Sequence, residues 1–357
     1  MDNNNRLCGR ISHCVIFVLS IFFLSIVLSS CSFAQQSPRR PEFRLKTGMP
    51  IVKITQLKGN APASYAQSTV GAGNYSRHIV VGGMDRFYEV HVPAAYTKTS
   101  PMPAVLVLHG GGGNPTAIRW QSRMDYVADR YGFIAVYPAG TSRLKKFALT
   151  FNAEGCCGYA SENNVDDVAY VNALLDDLEK FFYIDTKRVF ATGYSNGSQM
   201  TYLLACKLSH RIAAIAPNAA PMTLRSGCAP VRPLSVMHFH GLKDDNVPFE
   251  GGKGTSPVAV TGYDHMPVQD CLNFWITRNG IPATPAKQSR KGNVEFTVYG
   301  PGEEDTEVIL VKIEDGGHSW PGGDYSSAKE DATLGKINRD IVASELMWKF
   351  FEKHPMR

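Results

Sequence analysis

A serine flanked by glycines at the end of an apolar run constrains the fold of this chain more than any other feature. In RVFATGYSNGSQM, Ser195 stands between Gly193 and Gly197. Glycine weakens an ordinary strand or helix, so two glycines around one serine require a reason. A strand that turns abruptly into a helix supplies one, because the serine hydroxyl is then exposed at the apex of the turn. The alternative is a glycine-rich turn that contains a serine by chance.

Apolar strand patterns alternate with amphipathic helix patterns from residue 75 to the end of the chain. Several strand runs, such as AVLVLHG and FIAVYPAG, are apolar throughout and end in glycine, as buried sheet strands do. This alternation predicts one α/β domain with a mainly parallel central sheet and helices on both faces. The predicted strands cover residues 86–93, 104–110, 133–140, 188–195, 212–220, 233–241, 294–301 and 307–318, and the predicted helices cover residues 117–132, 165–182, 196–208 and 338–354.

The helix predicted over residues 165–182 carries two pairs of aspartates, at residues 166–167 and 176–177. We expect these aspartates to lie on a solvated face, largely off the apolar stripe, in preference to serving as acid–base pairs. The apolar stripe consists of Val165, Val168, Val171, Leu174, Leu175 and Leu178.

The segment from Lys145 to Asn164 fits neither pattern and is predicted to be an ordered loop over the functional site. Its aromatic residues Phe147, Phe151 and Tyr159 are expected to form a wall beside Ser195. The alternative is that these aromatic side chains only pack the loop onto the sheet.

The first 34 residues have the composition of a secretory signal. Two arginines precede an apolar run from Val15 to Leu28, and small residues follow that run. Cleavage after Ala34 is one predicted exit, and lipidation at Cys31 is the other; a membrane anchor helix is a third interpretation. The predicted domains are a signal peptide at residues 1–34, a linker at 35–74 that is rich in Ser, Pro, Ala, Gly and Gln, and a catalytic domain at 75–357. The mature protein is therefore expected outside the cytoplasm, and at a membrane only if it is lipidated.

The charge of the chain is too mild to indicate a nucleic-acid partner. The formal net charge is +5, and loss of residues 1–34 removes two arginines and one aspartate, which leaves +4. No basic tract with interleaved aromatic residues is present, so nucleic-acid binding is not expected.

Five cysteines follow Cys31, and an exported protein can oxidise them. No two pairs of them have CxxC spacing, so structural disulfides are favoured over a zinc site, and no metal is predicted. A bridge between Cys206 and Cys228 is predicted, with either Cys156 or Cys157 bonded to Cys271.

Polar residues after two later strands complete a candidate catalytic set. A serine hydroxyl needs a base to take its proton, and the base needs a carboxylate to orient it. His318 follows the last predicted strand and is the candidate base. Asp244 and Asp245 both follow an earlier strand and compete for the role of the acid, because spacing alone does not separate them.

The glycine run HGGGGN, at residues 109–114, is predicted to bind the oxyanion of a tetrahedral intermediate. The backbone N–H groups of Gly111 and Gly112 are the candidate donors from this loop, and that of Asn196 is the candidate donor beside the nucleophile. The run lacks the ending of a phosphate-binding P-loop and the spacing of a dinucleotide fingerprint, so no cofactor is predicted.

Seven motifs follow one another in a fixed order between Asp85 and Phe351: LHGGGGN, CCG, VDDVAYV, RVFATGYSNGSQM, AAIAPNAA, HFHGLKDDNVPF and GGHSWPGG. Together they resemble the polyhydroxybutyrate depolymerase and feruloyl esterase family of secreted α/β-hydrolases. The resemblance implies an α/β-hydrolase fold, with Ser195 as nucleophile and His318 as base. In that family the acid is the aspartate of H-G-x-x-D-x-x-V-P, which is Asp244 in this sequence.

The resemblance implies an ester substrate but leaves the ester open. The family includes enzymes for polyhydroxyalkanoates, for feruloyl and acetyl groups on plant xylan, and for small aryl esters. No surface-binding module is visible, which favours a polysaccharide-linked ester over a polyester. Tyr194 and Trp320 are expected to contact the substrate, with packing as the alternative role for Trp320. A serine peptidase and an exported binding protein that lacks the reaction are the remaining alternatives.

Overall fold

The computed structural model describes residues 52–53, 70–224, 227–255, 264–324 and 333–357. All of them belong to one compact unit, Gly48–Arg357. The predicted signal at residues 1–34 lies outside the described residues, as does most of the predicted linker at 35–74. Val52–Lys53 within that linker forms a short strand of the main sheet. In the described residues, no helix combines the length and the apolar character that a membrane span requires.

A sheet of eleven strands forms the centre of the described fold. Its order is β1-β2-β3-β5-β4-β6-β7-β8-β13-β12-β11. Six neighbouring strands run parallel to one another: β5, β4, β6, β7, β8 and β13. On either side of them, β3 pairs antiparallel with β5, and β12 pairs antiparallel with β13. The strands are β1 Val52–Lys53, β2 Gly73–Val81, β3 Met84–Val92, β4 Met102–Leu108, β5 Ile134–Pro138, β6 Ile184–Tyr194, β7 Ala214–Asn218, β8 Ser235–Gly241, β11 Lys287–Lys291, β12 Val294–Tyr299 and β13 Val308–Ile313, while β9 Gly252–Lys253 and β10 Asp264–His265 form a separate pair.

Helices cover both faces of this sheet. Alternate residues of a strand face opposite sides, and on β4 Leu106 belongs to one apolar cluster while Val107 belongs to the other. Helices α4, α5 and α6 pack on the first cluster, and α1, α2 and α7 pack on the second. The predicted α/β-hydrolase fold is therefore confirmed. The helices are α1 Pro115–Ser122, α2 Met124–Tyr131, α3 Gly158–Glu162, α4 Asp167–Phe181, α5 Asn196–Lys207, α6 Val268–Arg278 and α7 Ala343–Phe351.

The helix predicted over residues 117–132 is two helices. Arg123 has φ 55°, a left-handed conformation that ends α1, and α2 begins at the next residue. Apolar periodicity does not report such a break, because the buried positions continue on both sides of it. Strand β11 was not predicted, since all five of its residues are exposed and it has no apolar alternation.

The prediction of a solvated acidic face on α4 is wrong at two positions. Asp167 is 1 % exposed and accepts hydrogen bonds from Arg86 Nη2 at 2.6 Å and from the backbone N–H of Asn152 at 2.7 Å. Asp177 accepts from Arg77 Nε at 2.6 Å and from Tyr88 at 2.6 Å. These carboxylates hold distant segments together, and Asp167 in particular anchors the segment that follows β5.

One of the two predicted disulfides is present, and the other is not. The predicted Cys206–Cys228 bridge is confirmed, and its Cα atoms lie 5.0 Å apart. Cys156 and Cys157 are bonded to each other, so the predicted bond from one of them to Cys271 is wrong. Cys271 is buried on α6 as a free thiol, and burial raises its pKa to about 12.

Loss of the Cys206–Cys228 bridge is expected to destabilise the fold. The bridge spans 22 residues, and a loop of that length corresponds to about 3 kcal/mol in the chain-entropy account. We expect the C206A/C228A variant to lose about that much free energy of unfolding in urea titrations. The same comparison in reducing agent is the control, because the difference should then disappear. A variant as stable as the oxidised wild type would contradict this expectation.

Candidate active site

Ser195 lies in a sharp turn between β6 and α5. Strand β6 ends at Tyr194 and helix α5 begins at Asn196, so a single residue connects them. Ser195 has φ 55° and ψ −119°, which is strained for a residue with a side chain, and its N–H donates to the carbonyl of Asn218 at 3.0 Å. The strand–serine–helix turn predicted from the sequence is present.

The two flanking glycines are required by close backbone contacts. A Cβ atom on Gly193 would overlap the carbonyl group of Gly197, and one on Gly197 would overlap the carbonyl oxygen of Leu108 at the end of β4. Any side chain at either position would push α5 away from the sheet. The glycines therefore permit the approach that holds the turn of Ser195 closed.

His318 lies between Ser195 and Asp244 within hydrogen-bond distance of both. Its Nε2 is 2.9 Å from Ser195 Oγ, and its Nδ1 is 2.7 Å from Asp244 Oδ2. The other oxygen of Asp244 accepts from the N–H groups of Asn246 at 3.0 Å and Val247 at 2.8 Å, which fixes the carboxylate. The structure brings these three predicted residues together from the ends of three parallel strands.

Asp245, the competing acid, is exposed and makes no side-chain contact with His318 in the described residues. Its backbone carbonyl accepts from the N–H of Thr255. Asp244 is buried instead, which by itself would raise its pKa. The nearby His318 and the hydrogen bonds to the carboxylate outweigh burial, so that the pKa of Asp244 is lowered and the group is ionised.

The loop that carries His318 is held by residues beside the nucleophile. The Tyr194 hydroxyl donates to the carbonyl of His318 at 2.6 Å, and Asn218 Nδ2 donates to the carbonyl of Ser319 at 3.0 Å. The ring of Tyr194 lines the cavity above Ser195, but its hydroxyl is occupied by this contact. Tyr194 thus positions His318, and its contact with the substrate stays a prediction.

Trp320 does not reach the cavity, so its predicted contact with the substrate is wrong. The side chain is 1 % exposed, and its Nε1 donates to Ser344 Oγ at 3.0 Å on α7. Proximity to His318 in the sequence suggested the contact, whereas the chain turns Trp320 into the apolar cluster beneath the loop. Its alternative role, packing, is the one observed.

Two of the three predicted oxyanion donors are available. Asn196 is the first residue of α5, so its N–H has no partner within the helix. In the described part of the chain the N–H of Gly111 makes no hydrogen bond, whereas that of Gly112 donates to the carbonyl of Leu149 at 2.9 Å. The predicted donor role of Gly112 is therefore not supported, because its N–H is already bonded within the protein.

A cavity of about 300 Å³ opens above Ser195. The glycine loop at 109–113, α1, the Cys156–Cys157 pair and the residues after β8 and β13 form its walls. The predicted aromatic wall is absent from this cavity: Phe147 is 68 % exposed, Phe151 is buried against His109, and Tyr159 is not among the lining residues. The loop at 145–164 also contains α3, which its sequence did not indicate.

Trp120 is a lining residue that the sequence reasoning missed. It lies on α1, directly after the glycine loop, and its side chain borders the same cavity as Ser195. Its position six residues after Asn114 could have predicted this contact, since helix residues that follow an oxyanion loop lie near the nucleophile.

A buried chain of aromatic groups lies behind Asp244 and was also missed. The hydroxyl of Tyr202 is 3.0 Å from His238 Nδ1, and His238 Nε2 is 3.1 Å from His240 Nδ1. His240 Nε2 donates to the carbonyl of Val247 at 2.8 Å and lies 3.6 Å from Asp244 Oδ2. Burial lowers the pKa of both histidines, so both rings are neutral at pH 7.

The donor groups of the site do not form a metal centre. Among the described residues, no cluster of three or more His, Cys, Asp or Glu side chains has the arrangement to hold a metal ion.

A solved structure and a family model define the class of this protein. An acetyl xylan esterase from Aspergillus awamori matches with a TM-score of 0.51 and 16% identity, over 73% of this chain and 98% of that one. At this identity the likeness shows the fold alone, which is that of an α/β-hydrolase. The family model described as esterase PHB depolymerase matches residues 87–268, about half of the chain. The chain therefore belongs to the PHB depolymerase family of esterases.

Sequence relatives in this family carry esterase names. The chain is 27% identical over 262 residues to a bifunctional acetylxylan esterase/xylanase, XynS20E of Neocallimastix patriciarum, over 73% of this chain and 35% of that protein. It is 24% identical over 342 residues to the putative esterase NocK of Nocardia uniformis subsp. tsuyamanensis, over 90% and 94% of the two chains. It is 27% identical over 252 residues to feruloyl esterase C of Emericella nidulans, over 70% and 82%. The chain thus spans about a third of the bifunctional relative and most of the other two.

Acid is expected to destabilise the fold through His109 at the start of the glycine loop. His109 Nδ1 donates to the carbonyl of Gly110, Nε2 accepts from the N–H of Gly140, and burial lowers its pKa to about 4. The lowered pKa means that its stabilising contribution is complete above about pH 6.5 and is lost as the pH falls toward 4. Between those values one such group contributes a slope of up to about 1.4 kcal/mol per pH unit.

Urea unfolding between pH 6.5 and 4.5 measures this slope. We expect H109Q to remove about one proton from the pH dependence of the free energy of unfolding. H210Q, at an exposed histidine outside the site, is the matched control. An H109Q slope equal to that of the wild type would show that His109 does not titrate in this way.

Proposed function

We propose that the protein hydrolyses carboxylic esters through an acyl-enzyme on Ser195, with His318 as base and Asp244 as the orienting carboxylate. The observation that carries the proposal is the position of His318, 2.9 Å from Ser195 Oγ and 2.7 Å from Asp244 Oδ2, at the base of a cavity. A serine hydroxyl, an imidazole and an ionised carboxylate in this order are the groups that acyl transfer requires.

The proposed reaction has two stages. His318 Nε2 takes the Ser195 proton while Oγ attacks the ester carbonyl carbon, and the carbonyl oxygen becomes an oxyanion. The N–H groups of Gly111 and Asn196 stabilise that oxyanion. His318 then gives its proton to the departing alcohol, which leaves the acyl group on Ser195. In the second stage a water molecule, deprotonated by His318, releases the acid and restores the serine.

The proposed substrates are hydroxycinnamoyl or acetyl esters of plant polysaccharides. The names of the relatives support this class, since they include acetylxylan esterase and feruloyl esterases. The cavity of about 300 Å³ supports it as well, because it has room for an acyl group as large as a hydroxycinnamoyl group. A polyester of hydroxybutyrate is the competing substrate, and a binding protein without hydrolytic activity is the competing class.

Substitutions at Ser195 and at the two adjacent aspartates test the proposal. We expect S195A to lower kcat on p-nitrophenyl acetate and methyl ferulate by about 10³-fold or more, and D244N to be strongly impaired. D245N is the matched control and should keep most of the activity, because Asp245 is exposed. Folded S195A protein within about tenfold of wild type would overturn the assignment. Faster release of product from polyhydroxybutyrate than from methyl ferulate would assign the polyester instead.

Action outside the cytoplasm is part of the same proposal. It rests on the predicted signal at residues 1–34 and is supported by the Cys206–Cys228 disulfide, a bond typical of oxidising compartments. We expect the mature protein, isolated from a secreting host, to begin at Gln35 or at a lipidated Cys31. Intact-mass spectrometry distinguishes the two, and a full-length cytoplasmic product would contradict export.

A further inference from the structure

Trp120 is exposed at the rim of the cavity, in contrast to the other tryptophans of the chain. Its side chain is 51 % exposed, whereas Trp275, Trp320 and Trp348 are 0 %, 1 % and 3 % exposed. About half of this large apolar side chain faces water at the mouth of the cavity, so that its exposed face is available to a ligand. Trp120 has no part in the proposed acyl transfer itself.

The helix that carries Trp120 is firmly anchored. Asn114 caps α1 by accepting from the N–H of Ala117 at 2.9 Å, and Ile118 is 1 % exposed because it packs in the second apolar cluster. At the other end, Ser344 Oγ on α7 donates to the carbonyl of Ser122 at 2.7 Å. Ala117, one turn before Trp120, also lines the cavity and is too small to cover the indole. The indole is therefore presented to the cavity by a fixed backbone.

Contacts between α1 and the loop after His318 place Trp120 on the leaving-group side of the cavity. The N–H of Asp324 donates to the carbonyl of Gln121 at 3.1 Å, and Gly323 packs so closely on that carbonyl that a Cβ atom would overlap it. Asp324, Gln121 and Trp120 all border the cavity. Because His318 gives its proton to the departing alcohol, the alcohol lies on the side of its loop.

Another wall of the cavity is formed by the Cys156–Cys157 pair and the start of α5. Cys157 Sγ lies 3.9 Å from Gln199 Oε1, and Cys156 Sγ lies 4.0 Å from Asn196 Nδ2. The bonded cysteines thus sit against α5, the helix that begins after the nucleophile. We assign this wall to the acyl group.

The rim around Trp120 has the chemistry of a sugar site. An indole presents a flat, polarisable face, and the C–H face of a sugar ring packs on such a surface. The side chain of Gln121 beside it offers an amide to hydroxyl groups, and Asp324 adds a carboxylate that lies 3.7 Å from both Arg123 Nε and Arg339 Nη2. Resting on the proposed esterase function, we propose that Trp120 is the stacking platform for the sugar ring that carries the ester. It determines selectivity for the alcohol and not for the acyl group.

Paired esters that share one acyl group test this role. Feruloyl-arabinose and methyl ferulate differ only in the alcohol. We expect W120A to lower kcat/KM for feruloyl-arabinose by about three- to tenfold, mainly through KM, and to leave methyl ferulate within about twofold of wild type. W120F should retain part of the selectivity. Y126A is the matched control, because Tyr126 is 53 % exposed on α2 and does not line the cavity.

Two results of the kinetic comparison overturn the proposal. Equal losses on both esters would place Trp120 against the acyl group or the nucleophile, and no loss on either would leave it without a role in selectivity. Because Trp120 is exposed, W120A is expected to fold, and its circular dichroism and thermal midpoint are checked against Y126A.

A binding measurement separates this inference from the proposed reaction. Calorimetry on S195A protein with an arabinoxylan oligosaccharide reports sugar binding without hydrolysis. If no ester is hydrolysed by the wild type but W120A/S195A loses oligosaccharide binding, the platform stands and the esterase mechanism fails. If esters are hydrolysed and binding does not depend on Trp120, the mechanism stands and the platform is overturned.

Discussion

The approach of α5 to the end of β4 is the contact on which the rest of the site depends. Gly197 lies against the carbonyl of Leu108, and Gly193 lies against Gly197, so that no side chain separates helix from sheet. The strained conformation of Ser195 persists because these contacts and the hydrogen bond to Asn218 leave it no alternative. The same approach sets the start of α5 beside the glycine loop that leaves β4. The same backbone packing therefore positions both the nucleophile and the oxyanion donors.

The sequence predicted the parts of the fold and site that local pattern determines. Buried parallel strands are apolar throughout, and their order predicts that Ser195 and His318 lie at one edge of the sheet. The catalytic acid was harder to predict, because Asp244 and Asp245 are adjacent in one loop. What separates them is a pair of backbone N–H groups, from Asn246 and Val247, that only the folded loop aims at Asp244. The family resemblance, and not the spacing, identified that residue.

The errors of prediction concern individual side-chain contacts, which depend on the course of the folded chain. Trp320 follows His318 closely but is buried beneath it, whereas Trp120, far away in the chain, lines the cavity. Asp167 was expected in solvent because the aspartates of this helix lie largely off its apolar stripe, whereas it binds Arg86, 81 residues away in the chain. The pairing of Cys156 with Cys157 likewise depends on the course of one loop. None of these contacts leaves a periodic signal, because each is made by a single residue.

The two histidines behind Asp244, His238 and His240, are neutral, so neither adds a positive charge beside its carboxylate. During the proposed reaction His318 becomes a cation, and its attraction to Asp244 stabilises it. A charged His240, 3.6 Å from the same carboxylate oxygen, would compete for that anion and repel the new cation. Burial lowers the pKa of His240 and keeps its ring neutral, and the chain through His238 to the Tyr202 hydroxyl gives its Nδ1 a hydrogen-bond donor. As long as these two buried rings stay neutral, they add no pH-dependent charge beside Asp244 and His318.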